Sequence, residues 1–210
     1  MREIALDTET TGLDPAQGHR IIEVGCVELV NHVPSGRTFQ RYVNPGVAVD
    51  RDAVAVHGLD EAKLAGAPPF AAIVDDLIAF LGDAPLVIHN AEFDLGFLNA
   101  ELARLERPPI PAERAIDTVL LARRRFPGAP ASLDALCKRF GIDLAERELH
   151  GALLDARLLA AVYIELHGGR QAGLDLGRPR APRGEPTAAR PVRPPRAHGA
   201  SAAEIAVHEA

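Results

Sequence analysis

The segment DTETTGL, Asp7 to Leu13, directly follows a short apolar run, Ile4-Ala5-Leu6. If that run is a β-strand, the side chains of Asp7 and Glu9 point to the same face, because side chains alternate along a strand. Two neighbouring carboxylates repel each other, and a fold usually keeps such a pair where a divalent cation lies between them. The alternative is a pair of solvated acids on a strand edge. Further polar residues along the chain favour the metal-binding interpretation.

Those residues lie where the hydrophobic pattern places strand ends and helix starts. Asp94 lies in HNAEFD, after a predicted strand, while His150 and Asp155 form H-x-x-x-x-D at the start of the last predicted core helix. Taken singly, Asp94 is also compatible with an exposed helix acid, His150 with a surface loop, and Asp155 with an acid favoured by the helix dipole. Asp117 follows another short strand and is interpreted only as a helix N-cap.

Together, Asp7, Glu9, Asp94 and Asp155 are expected to bring carboxylates from three separate elements to one place. Oxygen ligands of this kind suit Mg²⁺ and Mn²⁺, and two such ions about 3.5–4 Å apart can stabilise both the attacking and the leaving oxygen in phosphodiester cleavage. An imidazole with an unperturbed pKa near 6.5 can take a proton from the attacking water, which is the role predicted for His150.

The periodicity predicts an α/β domain with a mixed sheet and helices on both faces. Residues 31–36 are expected to form the first hairpin turn, with Pro34 and Gly36 as its turn residues. Ser132 is a predicted N-cap and Gly141 a predicted helix stop. The predicted strands are 3–7, 20–30, 38–43, 86–88 and 115–116, and the predicted helices are 69–81, 91–105, 117–125, 132–140 and 151–166.

The composition limits the class of protein. The chain has 210 residues, about half of them apolar, which suits one globular domain with additional chain. Cys26 and Cys137 lie inside apolar patterns and are interpreted as small buried side chains of a reducing compartment. With no signal peptide or membrane span in the pattern, we expect a cytoplasmic protein without membrane contact. Residues 1–170 carry 17 basic and 25 acidic side chains, which argues against tight nucleic-acid binding through a broad basic surface.

The motifs DTETTGL, VHGL, HNAEFD and HGALLDA occur in this order between Met1 and Gly169. In order and spacing the chain resembles the DnaQ-like 3′→5′ exonucleases of the DEDDh type, in particular those that proofread for bacterial DNA polymerase III. The resemblance implies an RNase H-like fold with a mixed five-stranded sheet. It also implies hydrolytic release of 5′-nucleoside monophosphates from the 3′ end of a single-stranded or frayed DNA primer.

The same resemblance implies a role for each site residue. Asp7, Glu9 and Asp155 would bind one metal ion, Asp7 would bridge to a second ion supported by Asp94, and His150 would be the general base. For Val56 and Phe93 the alternative of core packing stays open. The residues implied to contact substrate, with Leu13 as a wedge near the terminal base, are Asp7, Glu9, Thr10, Thr11, Gly12, Leu13, Asp52, Val56, His57, Phe93 and Asp155.

Residues 170–210 are predicted to form a separate disordered tail, because residues 177–196 are rich in Pro, Arg, Ala and Gly. Gln171 to Leu176, QAGLDL, resembles peptides that bind the bacterial sliding clamp, although an ordinary linker is the alternative. By the same resemblance, the end of the chain, around Ile205 and Val207, would anchor on the DNA polymerase III alpha subunit. The family also implies a further partner, a small third core subunit that would bind residues 1–169.

Two other functions remain open from the sequence. One is an RNA exonuclease of the same superfamily, which would use identical catalytic residues but has no need of the clamp-like peptide. The other is a non-catalytic adaptor that keeps the fold as a scaffold. The complete set of acids argues against the adaptor, because buried carboxylates are costly without a cation to hold them.

Overall fold

The computed structural model describes residues 1–145 and 149–169. Within them, five strands form one sheet in the order β3-β2-β1-β4-β5. β1 pairs antiparallel with β2 and parallel with β4, β2 pairs antiparallel with β3, and β4 pairs parallel with β5. The predicted mixed sheet is therefore confirmed. The strands are β1 (Arg2–Thr10), β2 (Ile21–Val30), β3 (Val33–Tyr42), β4 (Leu86–Ile88) and β5 (Ala115–Asp117).

The predicted helices are confirmed to within a residue or two at each end. Asp117 caps the fifth helix by accepting from the backbone N–H groups of Val119 and Leu120. Ser132 caps the sixth, and Gly141 ends it in the left-handed conformation. The α-helices of the described chain are α1 (Arg51–His57), α2 (Glu61–Leu64), α3 (Phe70–Leu81), α4 (Ala91–Arg104), α5 (Thr118–Arg125), α6 (Leu133–Phe140) and α7 (Ala152–Leu166).

Two of these helices, α1 and α2, were not predicted from the sequence. Each is short, and short helices have little intrinsic stability in isolation. α1 ends at Gly58, whose φ of 70° is a left-handed conformation that glycine adopts without strain. Leu64 of α2 packs with Ile22 and Val49 in a small cluster of their own, so tertiary contacts hold this segment.

Alternation along the strands divides the core into two layers. Ile4, Leu6 and Cys26 point to the face covered by α3 and α4. Ala5 and Val27 point to the other face, where α6 and α7 pack. Helices on both faces explain why β1 and β2 are almost continuously buried, which is the usual pattern for a doubly covered strand. Cys26 and Cys137 are both buried side chains, as predicted.

The first hairpin turn is shorter than predicted. The turn residues are Asn31 and His32, which have φ values of 52° and 65°. Positive φ at both central residues is the signature of a two-residue type I′ turn, whose twist matches that of the flanking strands. Pro34 and Gly36 lie within β3, and the pairing of Leu29 with Pro34 follows a shift of register. The prediction was wrong because it took the proline and glycine as turn residues, whereas β3 is an edge strand that accommodates both.

All described residues belong to one compact unit. The predicted tail, its clamp-like peptide 171–176 and the predicted anchoring end lie outside the described residues, so these remain predictions. Among the described helices, none is both long and apolar enough to cross a membrane.

Candidate active site

The topology brings the acidic motifs to one edge of the sheet. β1, β4 and β5 run parallel, so the segments that follow them leave the sheet at the same edge. Asp7 and Glu9 lie near the end of β1, while Asp94 lies in the first turn of α4, just after β4. Ligand sites in α/β sheets form at this edge, outside the carboxyl ends of the parallel strands.

The start of α7 approaches the same edge from the face that Asp7 and Glu9 share. Glu9 is opposite Glu23 on β2, and Glu23 accepts a hydrogen bond from the backbone N–H of Ala152 at 3.1 Å. Since directly opposed residues of an antiparallel pair point to the same face, Glu9 also points towards α7. α7 thus carries its first-turn acid, Asp155, to the strand acids.

His150 and Asp155 are in direct contact. His150 Nδ1 lies 3.2 Å from Asp155 Oδ2, and the His150 side chain is nearly half exposed while Asp155 is buried. One ligand atom each from Glu9, His150 and Asp155 lies within 4.8 Å of the others. Asp7 lines a cavity of about 250 Å³ together with His150 and Asp155. Four of the five predicted catalytic residues therefore lie together.

Asp94, the fifth, reaches β1 from the opposite face of the sheet. Its Oδ1 accepts a hydrogen bond from the Thr8 hydroxyl at 2.7 Å, and the carboxyl group is 3% exposed. Burial raises the pKa of Asp94 to about 7, against the lowering effect of the hydrogen bonds from Thr8 and from its own backbone, and the nearby Asp117 raises it further. Among the described residues Asp94 has no ion pair with a basic side chain.

The donor set fits hard divalent cations. Asp7, Glu9, Asp94 and Asp155 offer carboxylate oxygens, the ligands that Mg²⁺ and Mn²⁺ prefer, and all but Asp7 are buried. A carboxylate with a raised pKa is stabilised by a nearby positive charge, because the charge favours the ionised form. The residues present could therefore hold such a cation between β1, α4 and α7.

A pocket of about 320 Å³ adjoins the carboxylates. The implied substrate-contact residues Glu9, Thr10, Gly12, Leu13, Asp52, Val56, His57 and Phe93 line it together. Leu13 is 84% exposed and Val56 is 45% exposed, so core packing is excluded as the role of Val56. Phe93 both lines the pocket and packs against the core, with its ring centroid 5.0 Å from that of Phe97.

His57 lies on the buried wall of this pocket. Its Nδ1 accepts the backbone N–H of Leu59 at 3.0 Å. Burial lowers the pKa of His57; the backbone of Thr10 opposes that shift, and His150 adds to it. A neutral ring that accepts at Nδ1 carries its proton on Nε2, which makes His57 a hydrogen-bond donor at neutral pH.

Some residues around the site were not predicted. Thr8, Asp50 and Ala53 also line the larger pocket, and His89, Ser132, Leu133 and Asp134 line the smaller one. His89 directly follows β4, and its Nδ1 lies 2.9 Å from the Thr118 hydroxyl. Its place within HNAEFD was the available signal. For Asp134 the signal was weaker, since an acid in the first turn of a helix is common.

Comparison with known proteins agrees with this geometry. The family described as Exonuclease (RNase_T) matches residues 4–163. The chain is 52% identical over 179 residues to the DNA polymerase III subunit epsilon of Rickettsia felis, covering 84% of this chain and 78% of the relative. It is 43% identical over 222 residues to the protein of the same name from Escherichia coli K12, covering 100% and 91%.

Among solved structures, exonuclease X in complex with 5′ overhanging duplex DNA is 30% identical and superimposes with a TM-score of 0.60. The alignment covers 81% of this chain and 94% of that one. The RNase H-like exonuclease fold implied by the motifs is thus confirmed. The chain belongs to the RNase_T exonuclease family, and within it to the epsilon subunits of DNA polymerase III.

Proposed function

We propose that this chain is the proofreading 3′→5′ exonuclease of a bacterial DNA polymerase III, releasing 5′-nucleoside monophosphates from the primer end. The observation that carries the proposal is the convergence of Glu9, His150 and Asp155 within 4.8 Å, beside a pocket of nucleotide size. Family membership supports the same reaction.

Two divalent cations, Mg²⁺ or Mn²⁺, would be held by Asp7, Glu9, Asp94 and Asp155. When bound, they supply positive charge that offsets the phosphate and acidifies the attacking water. Without the ions, these buried carboxylates are like charges held close together, and burying them without a counter-charge is unfavourable. We therefore expect the activity to depend strongly on the metal.

His150 is proposed as the general base. Its Nδ1 contacts the Asp155 carboxylate, which orients the ring and leaves Nε2 on the opposite side to accept the proton of the water. Attack of this water on the terminal phosphorus breaks the bond to the 3′ oxygen of the preceding nucleotide, and that oxygen takes a proton from solvent to become the new 3′ hydroxyl. The nearly half-exposed His150 can then pass its proton to solvent.

The larger pocket would receive only the terminal nucleotide. Leu13 projects an exposed apolar side chain at its wall, suited to contact the face of a base, while His57 forms part of the buried wall behind it. A mismatched end separates from its template at lower cost than a paired end, which supplies part of the selectivity.

The proposed partners follow from the charge of residues 1–169 and from the sequence of the tail, residues 170–210. The acidic body does not provide a broad basic surface for DNA, so the polymerase alpha subunit would hold the primer and the tail would raise the local concentration of the nuclease. A sliding clamp bound at Gln171–Leu176, a small third core subunit and a cytoplasmic location in the replisome belong to the same proposal.

The test compares a 3′-mismatched DNA primer, the matched primer and an RNA oligomer of the same sequence, with Mg²⁺ and with EDTA. We expect metal-dependent release of monophosphates, fastest from the mismatched DNA. Preference for the RNA would instead support the trimming function, and no release from any substrate would support the adaptor.

A second test concerns the tail. Truncation after Gly169 is expected to preserve cleavage of single-stranded DNA while abolishing stable association with the alpha subunit and the clamp. Equal co-purification of the truncated and full-length chains would contradict the role assigned to the tail.

A further inference from the structure

Glu23 is a buried acid outside the carboxylate set assigned to metal. It lies on β2, is 1% exposed, and uses both of its oxygens as acceptors. Oε1 accepts from the Gln40 side-chain amide at 2.7 Å, and Oε2 accepts from the backbone N–H of Ala152 at 3.1 Å. The second bond joins the sheet directly to the first residue of α7.

Glu23 differs from two other buried glutamates in how its charge is balanced. Glu28 contacts Arg2 and Arg37, and Glu101 contacts Arg20 and Arg104. Across the described ranges, Glu23 has no such basic partner. The positive end of the α7 dipole, together with the Ala152 amide, offsets the charge instead.

The start of α7 needs an external cap. Its N-cap residue, Gly151, has no side chain and therefore cannot accept a first-turn N–H itself. The helix also lies unusually close to β2, because a Cβ at Gly25 would be 2.2 Å from the Ala152 carbonyl carbon and the Leu153 nitrogen. Gly25 permits this approach, and Glu23 supplies the cap.

The capped turn lies between the two α7-side residues of the active site. His150 comes just before it, with its own backbone N–H bonded to the Val56 carbonyl at 3.1 Å. Asp155 follows within the same first turns. Glu23 is also directly opposite Glu9 in the β1–β2 pairing. The Glu23 side chain therefore connects β2, which pairs with β1 and its proposed metal ligands, to the start of α7, which follows the proposed base His150.

We propose that Glu23 is a positioning residue, which sets the place of His150 and Asp155 relative to Glu9 by capping α7. The proposal rests on the proposed nuclease function. Loss of the cap lets the start of α7 shift away from β2, so the reaction slows even though the chain still folds and binds DNA.

The experiment uses the full chain with Glu23→Ala, the conservative variant Glu23→Gln and the control Glu28→Ala. Glu28 is a buried acid of the same strand, but it contacts Arg2 and Arg37 and not α7. We measure kcat and KM with Mg²⁺ on single-stranded DNA, thermal unfolding, and hydrogen exchange at the start of α7.

For Glu23→Ala we expect kcat to fall at least about tenfold, towards the roughly 100-fold that a misplacement of one ångström costs, with KM nearly unchanged. Glu23→Gln keeps an acceptor oxygen and should retain kcat within about threefold. Exchange at Ala152 should quicken in Glu23→Ala only, whereas Glu28→Ala should lower the unfolding temperature without affecting kcat.

An unchanged kcat in Glu23→Ala, or an equal loss of kcat in Glu28→Ala, would overturn the proposal. If Glu23→Ala does not fold, Glu23→Asp replaces it: the shorter side chain keeps the charge but cannot reach the amide, and wild-type kcat in that variant would also overturn the proposal. An inactive wild type that shows the expected exchange pattern would contradict the nuclease function and leave the capping role supported.

Discussion

Asp94 and Glu28 are both buried carboxyl groups, yet their surroundings differ. Glu28 accepts hydrogen bonds from Ser35 and Arg2 and lies beside Arg37, and these contacts lower its pKa. Asp94 accepts from the neutral Thr8 hydroxyl, and burial raises its pKa to about 7. Arginine side chains of the protein itself balance the charge of Glu28. For Asp94, a bound cation would supply the positive charge that stabilises the ionised form. This difference separates a structural acid from an acid suited to metal binding.

We expect the largest losses of activity from substitutions among the proposed metal-binding carboxylates and the proposed general base. Asp155→Ala removes a carboxylate and the contact that orients His150, so we expect kcat to fall by at least about 10³-fold, as for other interdependent catalytic groups. Asp7→Ala and His150→Ala should be similarly impaired. Steady-state kinetics on a 3′-mismatched primer measures this, with Glu28→Ala as the control that keeps its activity. Robust activity in Asp155→Ala would contradict the mechanism.

Stability of the metal-free protein should depend on pH through Asp94. Its pKa of about 7 in the folded state lies above the usual value near 3.9, so the folded protein binds more protons between these pH values. The free energy of unfolding should therefore fall as pH rises from about 4 to about 7. Urea denaturation at pH 5 and pH 7.5 measures the fall, which Asp94→Asn and saturating Mg²⁺ should each reduce. A slope unchanged in Asp94→Asn would remove Asp94 as its source.

Glu28 should show the opposite dependence. Its pKa is lowered, so its contribution is complete above the unfolded value and is lost as pH falls through the folded value. Because Arg2 and Arg37 are partly exposed, we expect Glu28→Ala to lower the free energy of unfolding by only about 1–2 kcal/mol. Chemical denaturation of the wild type and of Glu28→Ala at pH 7 measures this change in the free energy of unfolding. A lower kcat in Glu28→Ala would contradict the purely structural role that distinguishes Glu28 from Asp94.

The smallest effect is expected at the pocket wall. Leu13 is 84% exposed, so Leu13→Ala should leave the unfolding temperature unchanged. Loss of its contact with the terminal base should raise KM several-fold, because apolar contact area removed from water contributes only about 25 cal/mol per Å². Kinetics on single-stranded DNA tests this. An unchanged KM would remove Leu13 from the substrate pocket.

Periodicity predicted most of the fold, because the long elements bury regular apolar faces. α3 and the predicted helix 69–81 agree closely, with Phe70, Ile73 and Val74 buried. The Asn31-His32 turn was missed because the positive φ of a histidine has no clear sequence signal. α1 and α2 were missed because they are only seven and four residues long, and contacts with β2 and its surroundings hold them.

The part of the candidate site that could be predicted consists of acidic residues at the ends of strands and the starts of helices. Asp7, Glu9 and Asp155 are acids at a strand end and a helix start, positions that parallel topology brings together. Glu23 carried no such signal, because an acid inside an apolar strand is not expected to reach an amide 129 residues away. The approach of Asp94 to Thr8 from the opposite face of the sheet also depends on packing that the sequence pattern does not encode.

The most direct test of the metal-binding account is anomalous diffraction from crystals soaked in Mn²⁺. The account predicts two peaks, one contacted by Asp7, Glu9 and Asp155 and a second contacted by Asp7 and Asp94, and the loss of the second in Asp94→Asn. Crystals of an active preparation that show no Mn²⁺ between β1, α4 and α7 would contradict it.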